Sequence, residues 1–114
     1  MITNATLTQI ERRTGQTAMG QAAYAVAAVA VRCEVMPVTA QQRWLLGSAI
    51  KEVAWKVFLY KSLLATAGVA APANGERITV VVDGEAGGRH GEIVLQNDYQ
   101  GGSVSNFECF VKAV

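Results

Sequence analysis

This chain is poor in the residues that usually build a reaction centre. It has a single histidine, His90, and two cysteines, Cys33 and Cys109. Zinc sites need three or four thiolate, imidazole or carboxylate ligands, and neither cysteine has a partner two to four residues away, so no metal site is expected. Two distant cysteines make no disulfide framework either. Strand alternation turns both inward, Cys33 with Val31 and Val35, Cys109 with Phe107 and Val111, which reads as buried free thiols in a reducing cytoplasm. His90 lies in the glycine-flanked stretch Gly87-Gly88-Arg89-His90-Gly91 and reads as a solvated loop residue. Nothing near it proposes a nucleophile with an orienting acid, so neither catalytic residue nor cofactor is expected and the chain does not read as an enzyme.

Charge is also scarce. Charged residues make up 17% of the chain, against about a quarter in an average domain, and the net charge is +1. That balance supplies neither the basic footprint of a duplex binder nor an acidic tail. Hydrophobic residues reach 51%, which argues against disorder and implies that some apolar surface meets other protein. No long hydrophobic run is present. The stretch Ala22–Val31 is too short against the roughly 20 residues that a spanning helix needs. Arg12 and Arg13 before it, and Cys33 after it, imitate an export signal, but Arg32 stands where a lipoprotein cleavage site wants a small residue. Neither a targeting peptide nor a membrane span is expected.

Two further constellations fail on spacing. Gly84, Gly87, Gly88 and Gly91 are dense enough to suggest a phosphate cradle, but strands flank them on both sides where a helix N-terminus is required. Asp83, Glu85, Glu92 and Asp98 lack the spacing of a calcium loop and read as solvated loop charges.

What the chain has is periodicity of two. Val29, Val31, Cys33 and Val35 decide an ambiguous alanine-rich run, Ala22–Val35, for strand, and Pro37 ends it. Thr39 and Gln42 have the spacing of a capping box, which predicts a short helical turn carrying Arg43, Trp44, Leu45 and Leu46 up to Gly47. From Lys51 to Tyr60, Val53, Trp55, Val57 and Leu59 share one face, with Glu52, Lys56 and Tyr60 on the other. Further strands are expected over Arg77–Asp83 (Ile78, Val80 and Val82 inward), Glu92–Tyr99 (Ile93 and Leu95 on one side) and Ser105–Val114. Asn74-Gly75, Asp83-Gly84 and Gly101-Gly102 supply turns, and Glu85–Gly91 a loop. Residues 1–21 read as an extended arm and loop: Asn4 to Arg13, weakly alternating and rich in threonine, suits an extended arm or edge strand better than a helix. Residues 61–75, alanine-rich and without a strand period, read as a long connecting loop, and such loops in small domains often bind partners. The expectation is one mainly β domain over residues 1–114: a small antiparallel β-barrel or rolled sheet of five to six strands, with one short helix and an extended N-terminal arm.

The order of these segments resembles the head closure or stopper proteins of tailed bacteriophages, also called head-tail joining or head completion proteins. The segments are Val31-Arg32-Cys33-Glu34-Val35-Met36-Pro37-Val38 leading to Thr39-Ala40-Gln41-Gln42-Arg43, then Trp55-Lys56-Val57-Phe58-Leu59. They are followed by Gly75-Glu76-Arg77-Ile78-Thr79-Val80 and the closing Asn106-Phe107-Glu108-Cys109-Phe110-Val111. The connection from Lys61 to Gly75 departs from the family pattern in being longer and richer in alanine. The resemblance implies a virion protein at the head-tail interface, assembled in the host cytoplasm. Its copies form a ring with the portal or adaptor on the head side and the tail or tail terminator on the other. Packaged DNA passes its channel without sequence readout.

For such a ring the contact residues are expected in the apolar part of the connection, Leu63, Leu64 and Val69, and at Phe58 and Tyr60 on the outer face of their strand. An adaptor or tail terminator would share this chemistry. A single-stranded nucleic-acid-binding barrel is the remaining reading, with Phe58 and Tyr60 stacking bases beside Lys56.

Overall fold

One apolar row per strand can be buried only if the sheet packs against something or rolls up on itself. Here it rolls up. The computed structural model describes residues 2–42, 52–100 and 105–114. Its strands are β1 (Ala5–Gln16), β2 (Ala22–Pro37), β3 (Val53–Tyr60), β4 (Arg77–Val82), β5 (Arg89–Tyr99) and β6 (Asn106–Ala113). They form a closed antiparallel barrel in the order β1-β2-β3-β6-β5-β4, and β4 returns to pair with β1. The mainly β barrel expected from the alternation is the fold. Its interior is filled by Ala5, Leu7 and Ile10 from β1, Cys33 and its neighbours from β2, Trp55, Val57 and Leu59 from β3, Ile78 and Val80 from β4, Ile93 from β5, and Cys109 and Val111 from β6. Both thiols face inward as expected.

The strands bend around this interior by register shifts, and each shift accounts for a departure from simple alternation. On β1, Leu7 lies opposite Val80 whereas Gln9 lies opposite Thr79, so β1 carries one residue more than β4 between the two pairs. The extra residue rotates the strand, and Leu7 and Ile10, three positions apart, both become core. That is why alternation is weak there. Residues 5–16, expected as part of an arm, are extended but form a wall of the barrel, paired with β2 on one side and β4 on the other. On β5, Ile93 lies opposite Val111 and Leu95 opposite Phe110, leaving Val94 as the extra residue. Ile93 therefore points inward while Leu95 packs outside, so the two do not share a side. A shift between Val53 and Trp55 likewise takes Val53 out of the main core.

Val53 joins Val38 and Phe110 in a second, smaller cluster with Val94 and Leu95 against it. The capping box that leads here is formed. The Thr39 amide donates to Gln42 Oε1 (3.2 Å), the Gln42 amide donates to Thr39 Oγ1 (3.1 Å), and a helical turn opens at Ala40. The expected continuation through Arg43, Trp44, Leu45, Leu46 and Gly47 lies outside the described residues, as do Lys51 and the turn at Gly101-Gly102.

Residues 61–75 are not one long loop. Lys61–Ala67 form helix α1, which ends with Gly68 in the left-handed region at φ 68°. The Gly68 amide donates to the Ala65 carbonyl and the Val69 amide to the Leu64 carbonyl, the paired bonds of a Schellman ending. Leu64 and Val69, the two residues whose contact accompanies that motif, both pack on the main core. The loop expected at Glu85–Gly91 is also shorter, because Arg89, His90 and Gly91 already belong to β5.

Gly91 shows how tightly the barrel is drawn. It lies opposite Ala113 on β6 and Ile78 on β4, and a Cβ there would sit 2.3 Å from Val111 Cγ1 and 2.7 Å from the Lys112 carbonyl oxygen. The backbone contact cannot be relieved by a rotamer change. Gly91→Ala should therefore destabilise the domain by about 1–3 kcal/mol, the usual cost of overpacking. Urea denaturation checks this, and an unchanged midpoint would contradict the packing described.

Candidate functional site

The outer face of β3 and β6 carries a cluster of buried polar side chains. Lys56 and Phe110 lie opposite each other in the sheet, as do Phe58 and Glu108. An outward-facing residue of a small barrel is ordinarily wet, yet Lys56 and Glu108 are only 6% and 8% exposed. They form an ion pair, with Lys56 Nζ 3.5 Å from Glu108 Oε2. The rest of the site satisfies what burial would otherwise strand. Lys56 Nζ donates to Gln42 Oε1 (3.2 Å) and lies 5.3 Å from the centroid of the Phe58 ring. Asn97 Nδ2 and the Tyr99 hydroxyl both reach Glu108 Oε1 at 3.4 Å. Gln42, which closes the capping box, thus also ties the segment after β2 to the barrel wall.

The residues expected to make contacts divide accordingly. Leu64 belongs to the main core, with Leu63 and Val69 packed against it. Tyr60 is buried, and its hydroxyl donates to the Ile2 carbonyl at 3.1 Å. Phe58 is half-buried under Lys56. Leu64 and Tyr60 are therefore buried within the subunit. Of the residues expected to stack bases, Tyr60 is covered and Phe58 half-buried, and the Lys56 beside them is paired with Glu108.

The acids expected as solvated loop charges are paired. Asp83 meets Arg32 (2.6 Å), Glu85 meets Arg89 (2.5 Å), Glu92 lies between Arg77 and Lys112, and Asp98 meets Lys61. Arg32 holds Asp83 below the usual carboxylate range, and Arg89 does the same for Glu85. These are surface pairs and contribute little individually. His90 is a strand residue whose Nε2 lies 3.1 Å from Glu11 Oε1.

Two polar anchors carry no motif in the sequence. Glu76 accepts from the Ala73 amide (2.8 Å), the Arg13 amide (2.9 Å) and Arg12 Nη1 (3.3 Å), while Arg12 also donates to the carbonyls of Ala70 and Ala71. Burial opposes ionisation of Glu76, but the two amides and the guanidinium outweigh it and hold its carboxyl low. Asn4 acts at the other end of β1. Its side chain accepts from the Val35 amide (2.7 Å) and donates to the Val35 carbonyl (2.9 Å), reproducing a ladder pair. Only the partners' positions in the fold identify either anchor.

The remaining surface is the β1–β2 hairpin. Beyond Glu11, β1 pairs only with β2, and β2 in turn reaches β3 only through Glu34–Pro37. The base of the hairpin is tied to the barrel by Arg12 and by the Tyr24 hydroxyl, which donates to the Gly75 carbonyl (3.1 Å), and its tip projects, with Met19 87% exposed there and Val26 64% exposed on the second strand opposite Glu11.

Among the described residues no pocket opens on the barrel, and no three histidine, cysteine or acidic side chains gather as a metal set. No described helix is long and apolar enough to cross a membrane. Burial pushes both thiols up, Cys33 and Cys109 alike to about 12, against the small opposing effects of Arg32 and Gln96 respectively. No family model, curated protein or solved structure matches the chain.

The Lys56–Glu108 pair generates a double-mutant test. Lys56→Met leaves a buried carboxylate without its cation and should cost about 3–5 kcal/mol, whereas Lys56→Met combined with Glu108→Leu should recover most of that loss. Chemical denaturation of the three proteins reads the coupling. Equal stability of single and double variants would show that the pair is not buried as described.

Proposed function

We propose that this chain is a structural protein of a tailed-bacteriophage neck. In this reading its copies form a ring between the portal or adaptor and the tail, closing the DNA-filled head and docking the tail. The observation that carries the reading is the order of segments in which the resemblance lies. An alternating strand ends at Pro37, a Thr39–Gln42 capping turn follows, and β3, β4 and β6 come after it in one closed barrel. The proposed role needs no reacting group. It needs a rigid subunit with surface left over for neighbours.

Two features support such a role. The barrel satisfies its own core, so Leu64 and Tyr60 are spent internally and assembly contacts fall to parts that stand off it. The β1–β2 hairpin is such a part, long, weakly charged on its second strand and carrying exposed Val26 and Met19. A ring needs two different patches on each subunit, and a projecting hairpin can reach the neighbouring subunit's wall. The near-neutral charge suits a channel through which DNA passes without being read.

Particles assembled without this protein test the role. DNA-filled heads should accumulate without tails and lose their genome, and purified protein added back should restore joining. Tailed, stable particles formed in its absence would overturn the proposal. A defect confined to tail length, with heads retaining DNA, would overturn it in favour of a tail terminator.

A further inference from the structure

Among the described residues, the longest run of strand that is paired on one side only lies on β2. From Ala22 to Cys33, β2 is paired with β1 on one side and, among the described residues, with no strand on the other. Ala25 and Val26 are consecutive and so face opposite sides of the sheet, yet both are exposed. Around Ala25 and Val26 the strand is therefore open on both faces and no described strand pairs with its outer edge, while to either side Tyr24 is tied by its hydroxyl to the Gly75 carbonyl (3.1 Å) and Val29 packs on the main core. Exposed edges of monomeric proteins are ordinarily guarded by lysine, proline or an inward charge. Here Ala22 to Val31 contains no charged residue and no proline.

We propose that this edge pairs with the same edge of a second copy of the chain, antiparallel and about a two-fold axis at Val26. In such a pair each residue meets the one equally far on the other side of the axis. Val26 meets itself, Ala25 meets Ala27, and Tyr24 meets Ala28. Self-pairing punishes charge, because a charged residue near the axis is brought close to its own copy. The absence of charge over this stretch is therefore what favours a second copy over an unrelated strand. Register supplies the other argument. Pairing with β1 is regular from Tyr24 to Ala28, between the shift near Gly15 and the shift near Thr8, so the free edge is straight over the length a two-fold contact would use. Val26, at its centre, is the most exposed large apolar side chain within any strand.

This contact closes on itself and uses one surface, whereas a ring needs two different surfaces. It therefore describes the free protein and stands independently of the neck assignment.

Cysteine placed at the axis tests it. Across an antiparallel pair the Cα atoms lie about 4.5–5.5 Å apart, within reach of a disulfide, and the two native thiols are buried and do not compete. Val26→Cys should oxidise to a covalent dimer faster than Met19→Cys, at the exposed hairpin tip away from the axis, on the order of tenfold or more, because paired thiols react at a raised effective concentration. Val26→Lys should sediment as a folded monomer under conditions in which the wild-type chain is a dimer. Equal oxidation rates, a wild-type chain that stays monomeric at its highest soluble concentration, or a Val26→Lys dimer would each overturn the proposal.

Discussion

Pairing of β1 with β4 turns a six-stranded sheet into a barrel, and the rest of the architecture depends on it. The contact runs from Ala5 opposite Val82 to Glu11 opposite Arg77. Without it, Ala5, Leu7 and Ile10 would line one edge of an open sheet while Ile78 and Val80 lined the other, and both rows would face water. Burial of each large aliphatic side chain is worth about 1.5–3 kcal/mol. Closure is therefore a substantial part of what holds the domain together. It requires bending, and the extra residues at Thr8 and Val94 supply that bending, with the bare backbone of Gly91 letting β5 come close to β6.

Closure also fixes what lies outside. The shifts that curve β3 and β5 turn Val53, Val94 and Leu95 away from the interior, toward Val38 and Phe110. Beside this second apolar layer sits the Lys56–Glu108 pair, where Gln42 shares its side-chain oxygen between its own capping box and the Lys56 ammonium. A buried pair of this kind gains little over an apolar replacement, but each half is costly without the other. The segment after β2 is thereby held in one position on the barrel wall. At the opposite end of β1, Arg12 and Glu76 gather the carbonyls and amides that follow α1, so the hairpin leaves the barrel from a braced base.

Much of the barrel was legible in the sequence because its signal is local. Val31, Cys33 and Val35 alternate without interruption, as do Trp55, Val57 and Leu59, and each row is core. The capping box at Thr39 and Gln42 is a spacing rule and formed as read. The local pattern departs from the structure where tertiary pairing overrides it. The sequence of β1 reads as an extended arm or edge strand, and its place as a paired wall is not legible because its bulge breaks the alternation. Ile93 and Leu95 looked equivalent until the extra residue between them separated their faces. Helix α1 lies in an alanine-rich tract with no strand period, where only Leu64, Gly68 and Val69 carry the spacing of a helix ending. The contact residues were less legible, since whether Tyr60 and Leu64 face a neighbour or their own core is decided by where Ile2 and the barrel end lie.

A barrel that closes on itself, with one hairpin left projecting, makes a specific demand on residue-by-residue amide exchange in the dilute protein. Amides in the β1–β4 pairing, around Leu7 and Val80, should exchange only through global unfolding and as slowly as those between β3 and β6, while hairpin-tip amides around Thr17 to Gly20 should exchange by local opening. If the β1–β4 amides exchange at the rate of the hairpin tip, the barrel is not closed and this account of the molecule fails.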